Sequence, residues 1–131
     1  MDSWEKEMLQ EHGWYMHAVL AEDYDEIHAN YHTHGLTHKY NHQDLQIILN
    51  IDPEVAHDIF YTVVEEIKYG KKFEEGIEYY NIIENNPVIM KSFKEMNREV
   101  LRILLPDERG VLPTHPDCSE DYKTQLDNIE D

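Results

Sequence analysis

Five of the nine histidines of this 131-residue chain fall between positions 28 and 42: His28, His32, His34, His38 and His42. Imidazole suits zinc, iron, nickel or copper. On a β-strand, residues i and i+2 point the same way, about 7 Å apart at Cα. His32 and His34 can therefore converge on one divalent transition-metal ion. His38 or His42 from the following loop would complete a three-histidine set, with Asp44 as a candidate carboxylate. An open fourth position on such an ion can activate water. The competing reading is a polar strand face followed by a polar loop. There is no HExxH, and the spacing matches no specific metal motif.

Other chemistry finds little support. Gly13, Gly35, Gly70, Gly76 and Gly110 form neither a dinucleotide fingerprint nor a phosphate loop. Ser3, Ser92 and Ser119 lack a nucleophile-elbow context. Cys118 is the lone cysteine, which excludes an intramolecular disulfide. It is expected in a surface tail, where Asp117 and Glu120 would raise its thiol pKa. Asp107 and Glu108 form a carboxylate pair in an expected turn, which points to a structural role. His57 is expected on the solvated side of a helix near Tyr61. No catalytic residues are assigned, and the balance leans away from an enzyme.

The elements that must position the histidines follow from pattern. Residues 3–12 read as a short amphipathic helix, capped by Ser3 and stopped at Gly13. Trp14–Ala21 and Ile27–His34 read as antiparallel strands joined by the polar EDYDE at 22–26. On the second, His28, Asn30, His32 and His34 share one face, and Ala29, Tyr31 and Thr33 the other. Residues 36–43 read as loop. Leu45, Ile47, Leu49 and Ile51 alternate as a strand with one apolar face. Asp52 caps the clearest helix, with Pro53 at its first position. Its wide stripe is Val55, Ala56, Ile59, Phe60, Val63, Val64 and Ile67, and it ends at Gly70. Further strands are expected at Ile77–Ile83, Val88–Phe93 and Glu99–Leu105, with turns at Asn85–Pro87 and Pro106–Gly110. A short helix after Ser119 is allowed. The order predicts an α+β fold: a mostly antiparallel sheet, the long helix on one face, and a short N-terminal helix. We read residues 1–131 as a single domain, with 114–131 a loosely held acidic tail.

Acidic residues number 28 against 11 basic, a formal net charge of −17. Such a field repels nucleic acid and anionic membranes and favours basic protein partners or metal cations. Lys91, Lys94, Arg98 and Arg102 make a modest basic stripe, expected to pair with the protein's own acids. The start MDSWEKEM has no apolar signal region, and no apolar run reaches the ~18 residues of a membrane span. A cytoplasmic location is expected.

Tyr31-His32-Thr33-His34-Gly35-Leu36 followed by His42-Gln43-Asp44-Leu45 resembles a YTxGL…HPDL pattern. Gly70, Phe73 and Gly76 resemble GxxFxxG, and Leu105-Pro106-Asp107, Gly110, Leu112-Pro113, Cys118 and Gln125 resemble the matching ending. In this order, from about Gly13 to Gln125, the chain is similar to the bacterial family domain of unknown function four-two-six-two. The resemblance implies a small bacterial or phage-borne intracellular α+β domain, and no established activity. It also implies structural or binding roles for Thr33, Gly35, Leu36, His42 and Asp44. It weakens a metal site on His32 and His34, where the family pattern carries other residue types. Gln43 stands where the family has proline. A fainter likeness, to suppressor-of-fused-type immunity domains, rests on the Thr-x-Gly strand end.

Three functions compete. The first is a non-catalytic binding or regulatory protein of immunity or anti-defence kind, with a basic protein partner. The second is a histidine-based metal-binding protein or metal-dependent enzyme using His32, His34, and His38 or His42. The third is a small-ligand domain with a pocket at Tyr31, Thr33, Gly35, His42 and Asp44.

Overall fold

The computed structural model describes residues 2–19, 28–95 and 97–127. The expected connection at 22–26, and Ile27 at the start of the second strand, lie outside them. Helix α1 (Ser3–His12) is capped by Asp2 rather than Ser3. The Asp2 carboxylate accepts the Glu5 N–H at 2.8 Å, and the Glu5 carboxylate turns back toward the Asp2 N–H at 3.5 Å. This capping box places two carboxylates at the positive end of the helix.

Five strands follow: β1 (Tyr15–Val19), β2 (His28–His34), β3 (Asp44–Leu49), β4 (Ile89–Glu95) and β5 (Arg98–Leu104). Their order is β1-β2-β3-β5-β4, with every pair antiparallel except β3–β5. A parallel pair needs a long crossover, and helix α3 (Pro53–Lys68) lies within it. Asp52 caps α3 by accepting the Glu54 N–H at 2.8 Å. The α3 stripe, Ala56 to Ile67, shares one hydrophobic cluster with Ala29, Tyr31, Leu45, Ile47, Leu49, Leu101 and Ile103. The fold is α+β, as its pattern predicts. Val55 is exposed, because at 100° per residue it sits about 110° from the centre of the stripe. No helix among the described residues is long and apolar enough to cross a membrane.

Several local expectations are corrected. Residues 36–43 contain a helix, α2 (Leu36–Tyr40), set between the left-handed residues Gly35 and Asn41. Buried Leu36 anchors it. Ile77–Ile83 is no strand: only Tyr79 bridges to Val88. Positive φ at Asn81 and Asn85 turns the chain away from any longer pairing. β3 has the expected apolar face of Leu45, Ile47 and Leu49, and its other face, with Gln46 and Ile48, is buried as well.

The segment expected as a loose tail is held as far as Asp127. Helix α4 (Glu120–Lys123) follows Ser119. The Gln125 amide accepts from the Leu105 N–H and donates to the Leu105 carbonyl, both at 2.8 Å. Cys118 is buried rather than on a surface. Burial, with Asp107 beside it, pushes its thiol pKa up. The buried Asp107 carboxylate accepts from the N–H groups of Ser119, Val111 and Arg109 and from the Ser119 hydroxyl. These bonds hold its carboxyl well below the usual carboxylate range. A depressed folded pKa stabilises the fold above the unfolded value, near ~3.9, and that stability is lost as pH falls toward the folded value. Asp107→Asn should lower the urea midpoint at pH 7, and its deficit against wild type should shrink below about pH 4. An equal deficit at pH 7 and pH 3 would mean that the charge does not hold this turn.

Candidate metal centre

The β1–β2 register places His17 opposite His32 and Tyr15 opposite His34. Side chains paired across strands share a face, so His17, His32 and His34 meet. One imidazole nitrogen from each lies within 4.8 Å of the others. Ring centroids are 4.9 Å apart for His17–His32 and His32–His34, and 6.1 Å for His17–His34. Nitrogens bound tetrahedrally at 2.0–2.1 Å to one ion sit about 3.4 Å apart. The site therefore needs at most about 1.4 Å of closure, within reach of side-chain rotation at exposed His17. His32 is buried and His34 half-buried, so the set has an inner floor and an open side. Burial, then the Arg98 guanidinium, lowers the His34 pKa below the ordinary histidine value, which favours the neutral, metal-ligating form.

One row of residues crosses all five strands: His17, His32, Gln46, Arg102 and Lys91. A chain of hydrogen bonds that runs from this row through Asn30 to Glu95 orients His32. Arg102 is 1% exposed and cannot accept a hydrogen bond. Its Nε donates to Gln46 Oε1 at 2.8 Å, which turns Gln46 Nε2 toward Asn30 Oδ1 at 3.2 Å. Asn30 Nδ2 donates in turn to Glu95 Oε1 at 3.2 Å. Asn30 Oδ1 is thus an acceptor, and the His32 Nδ1 at 3.1 Å from it must carry the proton. Glu95 Oε1 lies 3.5 Å from the same nitrogen. With its proton on Nδ1, a neutral His32 would present Nε2 to an ion, the form in which an outer hydrogen bond prepares a metal ligand. Arg102 also lies 3.5 Å over the Phe93 ring, and its Nη1 donates to the Gln125 and Asp127 carbonyls at 2.7 Å each. Burial pulls its pKa down to about 10, so it remains protonated at neutral pH.

Of the expected metal ligands, His32 and His34 are brought together, whereas His38 and His42 stand apart from them. His38 is exposed on α2. His42 is buried, with Nδ1 2.8 Å from the Gln43 carbonyl and Nε2 accepting the Phe73 N–H at 3.1 Å. Asp44 bonds to the Thr33 hydroxyl and the Leu36 N–H through Oδ1, and to Arg98 through Oδ2. Tyr31 donates its hydroxyl to the Ile51 carbonyl at 2.6 Å. Tyr31, Thr33, His42 and Asp44 are therefore buried and bonded to the protein's own chain, around the left-handed Gly35. His57 is stacked on Trp14, with centroids 5.5 Å apart, rather than simply solvated. Of the basic stripe, Arg98 pairs as expected with the protein's own Asp44 and Glu95, whereas Arg102 bonds to Gln46 and two backbone carbonyls and Lys91 lies over the Phe93 ring.

Sequence reasoning missed His17 and the supporting hydrogen-bond chain of Asn30, Gln46, Glu95 and Arg102. The signal for His17 is the register of the first hairpin, which pairs it with His32. The model of the family described as "Domain of unknown function (DUF4262)" matches residues 8–119, a stretch that contains the three histidines. No curated protein and no solved structure matches the chain.

Proposed function

We propose that this chain, which belongs to the DUF4262 family, is a transition-metal-binding domain whose ion is held by His17, His32 and His34. The observation that carries this reading is the convergence of the three imidazoles within 4.8 Å. The Asn30 bond to His32 Nδ1 supports it. An all-imidazole set suits zinc, iron, nickel or copper. Three protein ligands leave a coordination position open, as water- or ligand-binding metal sites require. The test is metal content by mass spectrometry on untagged protein, with thermal unfolding before and after chelation. We expect about one ion per chain. Free metal at a hundred times its Kd should stabilise the fold by about 2.7 kcal/mol. His17→Ala and the His32→Ala/His34→Ala pair should abolish both effects, and His38→Ala should leave them intact. Metal binding that survives removal of all three histidines, or no binding at all, overturns the assignment.

The net charge of −17 supports a second reading, a non-catalytic binding or regulatory role in the cytoplasm toward a protein with a basic surface. Capture from host extract at low salt that recovers no such protein would remove it.

A further inference from the structure

A cleft of about 340 Å³ opens beside the histidines, between the start of α1 (Asp2, Trp4, Glu5) and Tyr15, His17 and His34. Two of the three proposed ligands form its wall, so an ion held by them would face it. The rest of the lining has different chemistry. The Trp4 and Tyr15 rings meet edge to face at 5.5 Å, and Tyr15 stacks on His34 at 5.2 Å. Tyr15 donates its hydroxyl to Glu5 Oε2 at 2.5 Å, which fixes that carboxylate and helps to keep it ionised. Asp2 adds a second carboxylate, and among the described residues no lysine or arginine lines the cleft. Arg98, whose charge reaches His34, is engaged by Asp44 and Glu95. Aromatic faces beside carboxylates select a cation, whereas the open position of a divalent ion selects an anionic donor. One small molecule satisfies both ends if it carries a carboxylate and an ammonium group. The volume is at the small end of ligand pockets, roughly 300–1,000 Å³, and suits a ligand of amino-acid size.

We infer that this cleft binds a small amino-acid-like zwitterion, with its carboxylate on the ion at His17, His32 and His34 and its ammonium beside Trp4, Glu5 and Asp2. The inference rests on the metal reading above. Its test uses the full chain loaded with Co(II), whose visible absorption reports the ion's ligands. 4-Aminobutyrate, butyrate and butylamine are titrated in turn at pH 7. We expect 4-aminobutyrate to change the spectrum at about one-tenth the concentration of butyrate, and butylamine to leave it unchanged. Trp4→Ala and Glu5→Gln should each bring 4-aminobutyrate to the level of butyrate without altering Co(II) affinity. Trp4 has no part in the capping box, so its variant remains informative if Glu5→Gln loosens α1. Equal responses to 4-aminobutyrate and butyrate, or a preference that survives both substitutions, overturn the inference while leaving the metal site standing. Failure of Co(II) to bind, seen before any titration, overturns both.

Discussion

Arg102→Met is expected to cost about 3–5 kcal/mol of stability and to weaken metal binding by roughly 10- to 100-fold. The stability loss follows from the partners left behind. The guanidinium serves Gln46 Oε1 and the carbonyls of Gln125 and Asp127, and it rests on Phe93. Methionine fills much of the volume but donates nothing, so buried acceptors lose their donors and the C-terminal segment loses its hold on the sheet. The metal effect is separate and passes along the row. Without Arg102, either end of the Gln46 amide can face Asn30. Asn30 Oδ1 then keeps only one of its two anchors, the Nδ2 bond to Glu95, as the acceptor of the His32 Nδ1 proton. Arg102→Lys should recover part of the stability, because a charge returns, and little of the metal affinity, because the directed Nε donor does not. Urea midpoints give the first quantity, and zinc competition against a chromophoric chelator gives the second. A folded Arg102→Met protein with wild-type zinc affinity would show that the row does not orient His32.

The same row shows how far the sequence carries. Period-two alternation was enough to place Asn30, His32 and His34 on one face of β2, and helical spacing with Asp52 and Pro53 was enough for α3. Ordered short motifs were enough for the family, which the match over residues 8–119 bears out. Alternation within a strand, however, says nothing about which neighbour lies across from it. His17 joins His32 only through the hairpin register, and Arg102 joins Gln46 only through a parallel pairing over 56 positions of sequence. Both are tertiary facts with no local signature. The missed helix α2 has the same cause. LTHKY has no apolar stripe, and the helix is held by burial of Leu36 and by the Asp44 carboxylate on the Leu36 N–H. The strand expected at Ile77–Ile83 failed in the opposite way, because apolar content there suggested pairing that Asn81 and Asn85 turn aside.

Gly35→Ala should destabilise the fold by about 3 kcal/mol, as the sum of two separable costs. Gly35 has φ +109°, a conformation that L side chains rarely adopt, at about 1–2 kcal/mol. An added Cβ would also lie 2.4 Å from the Gly13 carbonyl oxygen, 2.8 Å from Leu9 Cδ2 and 3.1 Å from Trp14 Cα. Overpacking of this kind costs about 1–3 kcal/mol, and here the backbone has little freedom to yield. Gly13 closes α1 through its N–H to the Leu9 carbonyl. Asp44 grips both sides of Gly35 through the Thr33 hydroxyl and the Leu36 N–H. Gly76 supplies the control, because it has φ +77° with nothing within 4 Å of an added Cβ. Gly76→Ala should therefore cost only the conformational part, about 1–2 kcal/mol. The excess of Gly35→Ala over Gly76→Ala in urea unfolding measures the close approach of the α1 end to the end of β2. Since β1 and β2 themselves carry the three histidines, Gly35→Ala should displace α1 from the cleft while zinc still binds. Equal losses for the two alanines would mean that α1 gives way freely, and that Gly35 serves its turn rather than the seating of the helix.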